Sequence, residues 1–95
     1  MKVRLAARAA RDLEHAVSQY EQELPGLGAA LLQEVTGAID FISAYPEASA
    51  LWLFAFRPAR RCLLQRFPYG LIYELKDGEA IVVAFAHQRR RPVPT

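Results

Sequence analysis

Arginine, tyrosine and histidine gather in the second half of this sequence, and these are the side chains with which it could do chemistry. Ten of them lie between residues 57 and 91: Arg57, Arg60, Arg61, Arg66, Tyr69, Tyr73, His87, Arg89, Arg90 and Arg91. Arginine presents a planar fork of donors that fits a carboxylate or a phosphate. The set therefore predicts an anionic partner, either nucleic acid or an acidic protein segment, with a merely solvated basic face as the alternative.

Other kinds of site find little support in the residue types. The only histidines are His15 and His87, and Cys62 has no second cysteine at ligand spacing, so no metal site is expected. Cys62 follows two arginines, which could lower the pKa of a nucleophilic thiol, but its place in an alternating strand pattern favours a core or half-buried role. The segment "LPGLG" (24–28) is typical of a turn between helices and not of a phosphate-binding loop. No cofactor is expected.

Length and composition predict one small intracellular domain. The chain has 95 residues, 53% of them hydrophobic, which suits a single globular core. A single cysteine fits a reducing compartment, and neither a signal peptide nor a membrane span is expected. Charge is unevenly distributed: residues 1–48 carry 4 basic and 7 acidic side chains (net −3), and residues 49–95 carry 8 basic and 3 acidic (net +5). The basic half is where an anionic partner would bind.

The first half reads as one strand and two helices. Residues 2–6 alternate apolar and charged side chains, as an edge strand does. Apolar residues then recur at three- and four-residue steps through 7–23 and again through 27–45, which predicts two amphipathic helices. Pro25 and Pro46 end them. In the second helix Leu32 and Phe41 widen the apolar stripe, so a second neighbour is expected there.

The second half reads as strands. Residues 60–67, 69–76 and 79–86 are predicted strands, and Asp77-Gly78 between the last two fits a two-residue type I′ turn, with Lys76 opposite Glu79. Residues 47–59 are ambiguous, because the apolar run "LWLFAF" fits a strand or a buried loop and Pro58 interrupts it. The order of elements predicts an α+β fold: an N-terminal strand and a helical hairpin packed on a curved antiparallel sheet of three to four strands.

Three segments taken together have a family resemblance that covers nearly the whole chain. They are "DLEHAVSQYEQELPGLGAALLQEVTGAIDFISAYPE", "RFPYGLIYEL" and "IVVAFAHQRRRP". They resemble the RelE/ParE superfamily of toxins from bacterial type II toxin–antitoxin modules. The resemblance implies a single toxin domain over 1–95, a cytoplasmic location, and a cognate antitoxin whose C-terminal segment wraps and neutralises the toxin. It also implies one of two targets: DNA gyrase for ParE-like members, or mRNA in the ribosome for RelE-like endoribonucleases, which need no metal.

Comparison with the RelE-type nuclease pattern favours the ParE-like alternative. The pattern has an arginine directly after the tyrosine that matches Tyr69, where this chain has Gly70. Of its two basic residues on the preceding strand, Arg61 matches one and Leu63 stands at the other. Arg89 matches the arginine after the last strand, and the pattern's C-terminal tyrosine falls at about Thr95. Two of five positions match.

Three functional hypotheses follow from the resemblance. The first is a ParE-like gyrase inhibitor, the second a ribosome-dependent endoribonuclease, and the third an interaction module without activity. The expected target-binding residues are Arg61, Arg66, Tyr69, His87, Arg89, Arg90 and Arg91. If the chain is a nuclease, the expected catalytic residues are Arg61, Arg66, His87 and Arg89. The expected antitoxin-binding residues are Leu32, Phe41, Trp52 and Phe54.

Overall fold

The protein folds as a helical hairpin packed on a five-stranded sheet. The computed structural model describes residues 1–88. Its elements are β1 (Lys2–Leu5), α1 (Ala7–Glu23), α2 (Leu27–Ala44), β2 (Ala50–Phe54), β3 (Arg57–Leu63), β4 (Tyr69–Lys76) and β5 (Glu79–His87). The strand order is β1-β5-β4-β3-β2, with β1 parallel to β5 and the other neighbours antiparallel. The predicted α+β class and helical hairpin are confirmed. The sheet has five strands where three to four were expected, and it is mixed and not purely antiparallel, because β1 joins it parallel to β5.

The connection between the helices is held by one carboxylate. Glu21, in the last turns of α1, accepts hydrogen bonds from the backbone N–H groups of Gly26 (3.0 and 3.1 Å) and Gly28 (2.9 Å). These amides belong to the start of α2, where a helix has N–H groups without intrahelical partners and a partial positive charge. Gly28 is required by close packing, because a Cβ there would lie 2.9 Å from the Val17 carbonyl oxygen. The hairpin is thereby fixed at its tip.

The main core lies between the helices and one face of the sheet. Leu31 and Ile42 of α2 pack there against Leu71 and Tyr73 of β4 and Val82 of β5, and all five side chains are at most 1% exposed. The Tyr73 hydroxyl donates a hydrogen bond to the Pro46 carbonyl oxygen (2.7 Å), which satisfies its one polar group. α2 buries Leu31, Val35 and Ile42 in this core, whereas Leu32 and Phe41, which widen its apolar stripe, remain exposed.

α2 also meets the length and hydropathy criteria for a membrane-spanning helix. Its 18 residues have a mean hydropathy of 1.2, enough by length and composition alone for a membrane-spanning helix. The core helix of a globular domain meets the same criterion, and the packing described above places α2 in that role.

The hairpin between β4 and β5 has the predicted turn. Asp77 (φ 52°) and Gly78 (φ 76°) both adopt positive φ, and Lys76 pairs with Glu79 in the register. The Glu79 carboxylate, however, forms its ion pairs with the neighbouring β1, to Arg4 (3.2 Å) and Lys2 (3.9 Å). A register position opposite Lys76 therefore does not decide which cation Glu79 binds.

The ambiguous segment 47–59 forms a second hairpin. β2 ends at Phe54, and the chain reverses through Ala55 (φ 50°) and Phe56 (φ 64°) into β3. Pro58 does not interrupt the strand, as the sequence had suggested, but pairs with Leu53 inside it. A two-residue turn at Ala55-Phe56 was not expected, because neither residue is one that favours positive φ.

β3 is shifted towards the N-terminus relative to the predicted strand 60–67. It begins at Arg57 and ends at Leu63. The Glu34 carboxylate of α2 binds the N–H groups of Gln65 (2.6 Å) and Arg66 (2.7 Å). Those amides cannot also belong to a strand ladder, so the segment before Tyr69 is a loop. Pro68 lies in this loop, at the predicted junction of two strands.

We expect the Ala55-Phe56 turn to be strained and open to stabilisation. A non-glycine residue in the left-handed region costs about 1 kcal/mol. Because Phe56 is 65% exposed, its replacement loses little burial. Phe56→Gly should therefore raise the melting temperature by about 4–8 °C, measured by circular dichroism. The matched control is Gly78→Ala in the other hairpin, which should lower it. A fall with both variants would contradict the strain at Phe56.

Candidate functional site

A groove of about 600 Å³ separates α2 from β3 and the loop that follows it. We call it the α2–β3 groove. One wall is the exposed side of α2, with Ala38 and Phe41, and the other is formed by Cys62 and Leu63. Phe41 is 43% exposed and Leu63 45%. The groove is therefore mainly apolar and open to solvent, as a docking site for a protein segment would be.

Further exposed apolar side chains lie on neighbouring elements. The Tyr45 ring lies 5.5 Å from the Phe41 ring, and Tyr45 is 62% exposed. In the register of β2 with β3, Leu51 pairs with Arg60 and Leu53 with Pro58, which places both leucines on the helix side of the sheet. They are 72% and 46% exposed, because neither helix covers them.

Polar contacts between α2 and the loop after β3 lie at one end of the groove. Besides accepting the two backbone hydrogen bonds of the loop, the Glu34 carboxylate lies 3.5 Å from Nε of Arg66. The Arg66 side chain is still 67% exposed, so most of its guanidinium is available to a partner. Arg61 and Arg66 both contribute atoms to the lining of the groove, although the Arg61 guanidinium lies on Trp52 at the opposite face of the sheet.

The opposite face of the sheet has a smaller apolar cluster and an unusual arginine. The Arg61 guanidinium lies 3.6 Å from the centre of the Trp52 ring, in a cation–π contact. Its Nε is buried and has no hydrogen-bond partner among the described residues. A Cβ at Gly70 would lie 3.3 Å from Cγ of Arg61 and 3.1 Å from Cδ2 of Leu63. Gly70 thus leaves the space in which the Arg61 side chain lies.

Tyr69 belongs to an aromatic cluster beneath α1. Its ring stacks on Phe85 at 4.6 Å, with 6° between the planes, and meets Tyr20 and His87 edge to face. Burial, followed by the charges of Tyr69 and Glu23, raises the pKa of Tyr20 above its ordinary value. These ring contacts pack Tyr69 into the sheet side of the cluster.

A small polar pocket opens beside this cluster. It has a volume of about 260 Å³, and α1 contributes Arg8, Asp12 and His15 to it opposite Tyr69 and His87. The sequence did not single out the α1 residues, because more than fifty positions separate them from the sheet residues they meet. No group of three or more His, Cys, Asp or Glu side chains in residues 1–88 could hold a metal ion.

The predicted site residues are distributed over several surfaces. Arg61 lies on the face opposite the helices, Arg66 at the end of the α2–β3 groove, and Tyr69 and His87 beneath α1. Arg89, Arg90 and Arg91 lie outside the described residues. Their roles in target binding stay predictions.

The predicted antitoxin-binding residues are divided as well. Phe41 lines the α2–β3 groove, whereas Leu32 borders a different depression between α1 and α2. Trp52 and Phe54 point to the face opposite the helices, where they pack with Ile72. Sequence reasoning missed Leu51 and Leu53. Their signal was the alternation within "LWLFAF", which sends leucines and aromatic residues to opposite faces.

Comparison with known proteins identifies a family and solved structures of similar fold. Residues 3–92 match the family described as "ParE toxin of type II toxin-antitoxin system, parDE". A solved structure described as "Chromosomal ParDE TA system from P. aeruginosa" aligns with a TM-score of 0.78 at 17% sequence identity, over 92% of this chain and 95% of the other. At that identity the alignment shows a shared fold. No curated protein matches the chain.

The thiol in the groove provides a pH-dependent probe of this surface. Burial raises the pKa of Cys62 above its ordinary value, and a hydrogen bond with Ser49 opposes that rise. A raised pKa leaves less thiolate at neutral pH, so iodoacetamide should alkylate Cys62 more slowly than it alkylates the urea-unfolded chain, with the difference shrinking as the pH rises. Ser49→Ala removes the opposing hydrogen bond and should slow the reaction further. Equal rates for the folded and unfolded chain at pH 7.5 would contradict the burial.

Proposed function

Because this chain belongs to the ParE toxin family of type II toxin–antitoxin systems, we propose that it stops bacterial growth by binding DNA gyrase in the cytoplasm. We further propose that a cognate antitoxin keeps it inactive by occupying the α2–β3 groove. The observation that carries the second part is the exposure of the apolar side chains of Phe41 and Leu63 in that groove. The first part is supported by the family and by the arginines of the second half.

The apolar surface supports a permanent protein partner. Phe41 and Leu63 line the groove and are each at least 43% exposed, and the exposed Tyr45 ring lies against Phe41. Large exposed apolar patches on a small domain mark sites of interaction. An apolar segment of an antitoxin would cover these side chains, and acidic residues flanking it would meet Arg66.

The Arg61–Trp52 pair supports a second surface for the target. Leaving the Arg61 Nε buried without a partner costs about 1–3 kcal/mol, and no ion pair with Arg61 offsets it within residues 1–88. An arginine with such a cost, whose guanidinium lies 3.6 Å from the centre of an indole ring, is typical of a contact made to a partner. An acidic patch of gyrase would fit it.

Ribosome-dependent mRNA cleavage has less support. At the position where a RelE-type nuclease has an arginine, Gly70 leaves the room that Arg61 occupies, and Tyr69 is stacked on Phe85. We therefore keep the nuclease as an outcome of the experiment and not as a second proposal.

A supercoiling assay with the purified chain tests the target. Wild-type protein should inhibit DNA gyrase on relaxed plasmid. We expect Arg61→Met to weaken inhibition at least tenfold without lowering the melting temperature, because the change removes a buried unpaired donor while keeping an unbranched apolar side chain over Trp52. Arg57→Met, which removes the same charge from an exposed position on the same strand, is the control and should inhibit nearly as well as wild type.

Two results would contradict these assignments. If the wild-type chain does not inhibit gyrase but cleaves a translated message in the ribosomal A site, its target is mRNA and not gyrase. If Arg57→Met and Arg61→Met weaken gyrase inhibition equally, Arg61 contributes only through the net charge of the chain.

Two residues of α2 distinguish the proposed antitoxin surface, the α2–β3 groove, from the depression between α1 and α2. Phe41 and Leu32 are exposed to nearly the same extent, 43% and 45%, but only Phe41 lines the groove. When the chain is co-expressed with the product of the adjoining reading frame, Phe41→Asp should abolish co-purification. Growth should then stop, because the toxin is no longer neutralised. Leu32→Asp should do neither. The reverse result would move the antitoxin to the depression between α1 and α2.

A further inference from the structure

One face of α1 carries three polar side chains whose bonding capacity is unused. Arg8, Asp12 and His15 follow one another at steps of four and three residues, which places them on the same face of the helix. All three line the small polar pocket of about 260 Å³. Although Arg8 and Asp12 stand one turn apart, where an ion pair is sterically possible, none of the three side chains forms a hydrogen bond or ion pair with another residue in 1–88.

The other wall of the pocket comes from the sheet. The rings of Tyr69 and His87 meet there edge to face, with their centres 5.4 Å apart. The N–H of Gln88 donates a hydrogen bond to the Pro68 carbonyl oxygen (2.7 Å), which fixes the end of β5 beside the start of β4. Ala16 leaves the space between α1 and the rings unfilled, because its side chain is a single methyl group. The pocket is therefore built on the regular elements of the fold.

The donors of this pocket favour a phosphate group. The guanidinium of Arg8 presents a planar fork of N–H groups, and the imidazoles of His15 and His87 donate N–H bonds and carry positive charge when protonated. Phosphate oxygens accept such bonds strongly. Residues 85–91, which enter the pocket at His87, include three arginines and no acidic residue. An anion is therefore favoured over a cation.

Asp12 restricts which anion fits. Its carboxylate repels a bare phosphate ion, but it accepts a hydrogen bond from a hydroxyl or amine that lies next to a phosphate group. A nucleotide combines both features. Sites for drug-sized ligands measure about 300–1,000 Å³, so a pocket of about 260 Å³ suits a ligand no larger than one nucleotide.

We propose that this pocket binds one nucleotide. Arg8 and the two imidazoles hold its phosphate, and a hydroxyl of its sugar or an amine of its base donates to Asp12. The nucleotide is free or belongs to a nucleic-acid strand, since the phosphate is recognised in the same way in both. Arg8, Asp12 and His15 belong to none of the surfaces assigned above to the antitoxin or to gyrase, so the site does not depend on either assignment.

Proton NMR tests the site directly, because His15 and His87 are the only histidines of the chain. At fixed pH and ionic strength, deoxyadenosine monophosphate should shift the imidazole C–H signals of both histidines along one saturating curve. Inorganic phosphate should shift them only at higher concentration, because Asp12 repels it. Deoxyadenosine without phosphate should shift neither signal. Equal shifts with deoxyadenosine and with its monophosphate would overturn the recognition of phosphate.

A single-stranded oligonucleotide without terminal phosphates distinguishes the two sources. If the strand shifts both imidazole signals at a lower concentration than the mononucleotide does, the ligand is a phosphodiester of nucleic acid. If only the mononucleotide shifts them, the ligand is a free nucleotide. If neither one does, the pocket binds no nucleotide and the proposal is overturned.

Two arginines of α1 provide a matched pair of variants. Arg8→Gln should weaken binding of the mononucleotide about tenfold, the loss expected for a hydrogen bond to a charged group. Arg11→Gln removes the same charge from the same helix at an exposed position outside the pocket, and it should bind nearly as tightly as wild type. Both variants should keep the wild-type melting temperature. Equal weakening in the two would reduce the site to a general attraction of anions.

Asp12→Ala separates the phosphate contact from the contact to the rest of the nucleotide. Loss of the carboxylate should tighten binding of inorganic phosphate, because the repulsion is gone. It should also remove the acceptor for the sugar or base, so the preference for the mononucleotide over inorganic phosphate should fall. An unchanged preference would overturn the role of Asp12 in selecting a nucleotide.

Discussion

The carboxylate of Glu34 ties the helical layer to the sheet at the point where the chain turns from β3 to β4. It accepts the N–H groups of Gln65 and Arg66 and holds the Arg66 guanidinium beside them. Because of this contact β3 ends at Leu63, and β4 begins after the loop, at Tyr69. It also fixes the distance between α2 and β3, which makes the space between them a groove. Hydrogen bonds to a charged acceptor are among the strongest that a surface residue can form.

A second constraint is that the helices do not cover all of the sheet they pack on. β4 and β5 are covered, and Tyr73 and Val82 are fully buried as a result. β2 at the edge is not covered, and Leu51 and Leu53 extend into solvent on the same face. The uncovered strand, the groove and the exposed ring of Phe41 are thus one consequence of the architecture. A partner that completes the helix-side layer would remove all three exposures together.

The sequence predicted those features that depend on local periodicity and turn chemistry. Both helices and the Asp77-Gly78 turn follow from spacing and residue type. Features that depend on contacts between distant residues did not follow. No local pattern shows that Glu34 binds amides thirty residues away, or that this contact would shorten β3.

The Ala55-Phe56 turn illustrates a different limit. Turn preferences argue against positive φ at alanine and phenylalanine, and here the pairing of Leu51 and Leu53 with β3 overrides them. For the same reason the sequence could place Arg61 on a strand but could not show that it lies on Trp52, since that depends on the space above Gly70. Positions of side chains on the candidate surfaces required the assembled sheet.

The energetic costs in this fold coincide with the surfaces proposed to meet other molecules. The Phe56 turn is strained next to the bare edge, and the Arg61 Nε is unpaired on the face opposite the helices. At the opposite end of the molecule, the Asp77-Gly78 turn uses residue types that tolerate positive φ, and Glu79 forms ion pairs with both cations of the β1 edge. Stability alone would favour glycine at Phe56 and an apolar residue at Arg61. Strain and an orphaned donor on the partner-facing side are what a chain shaped to function within a complex would retain.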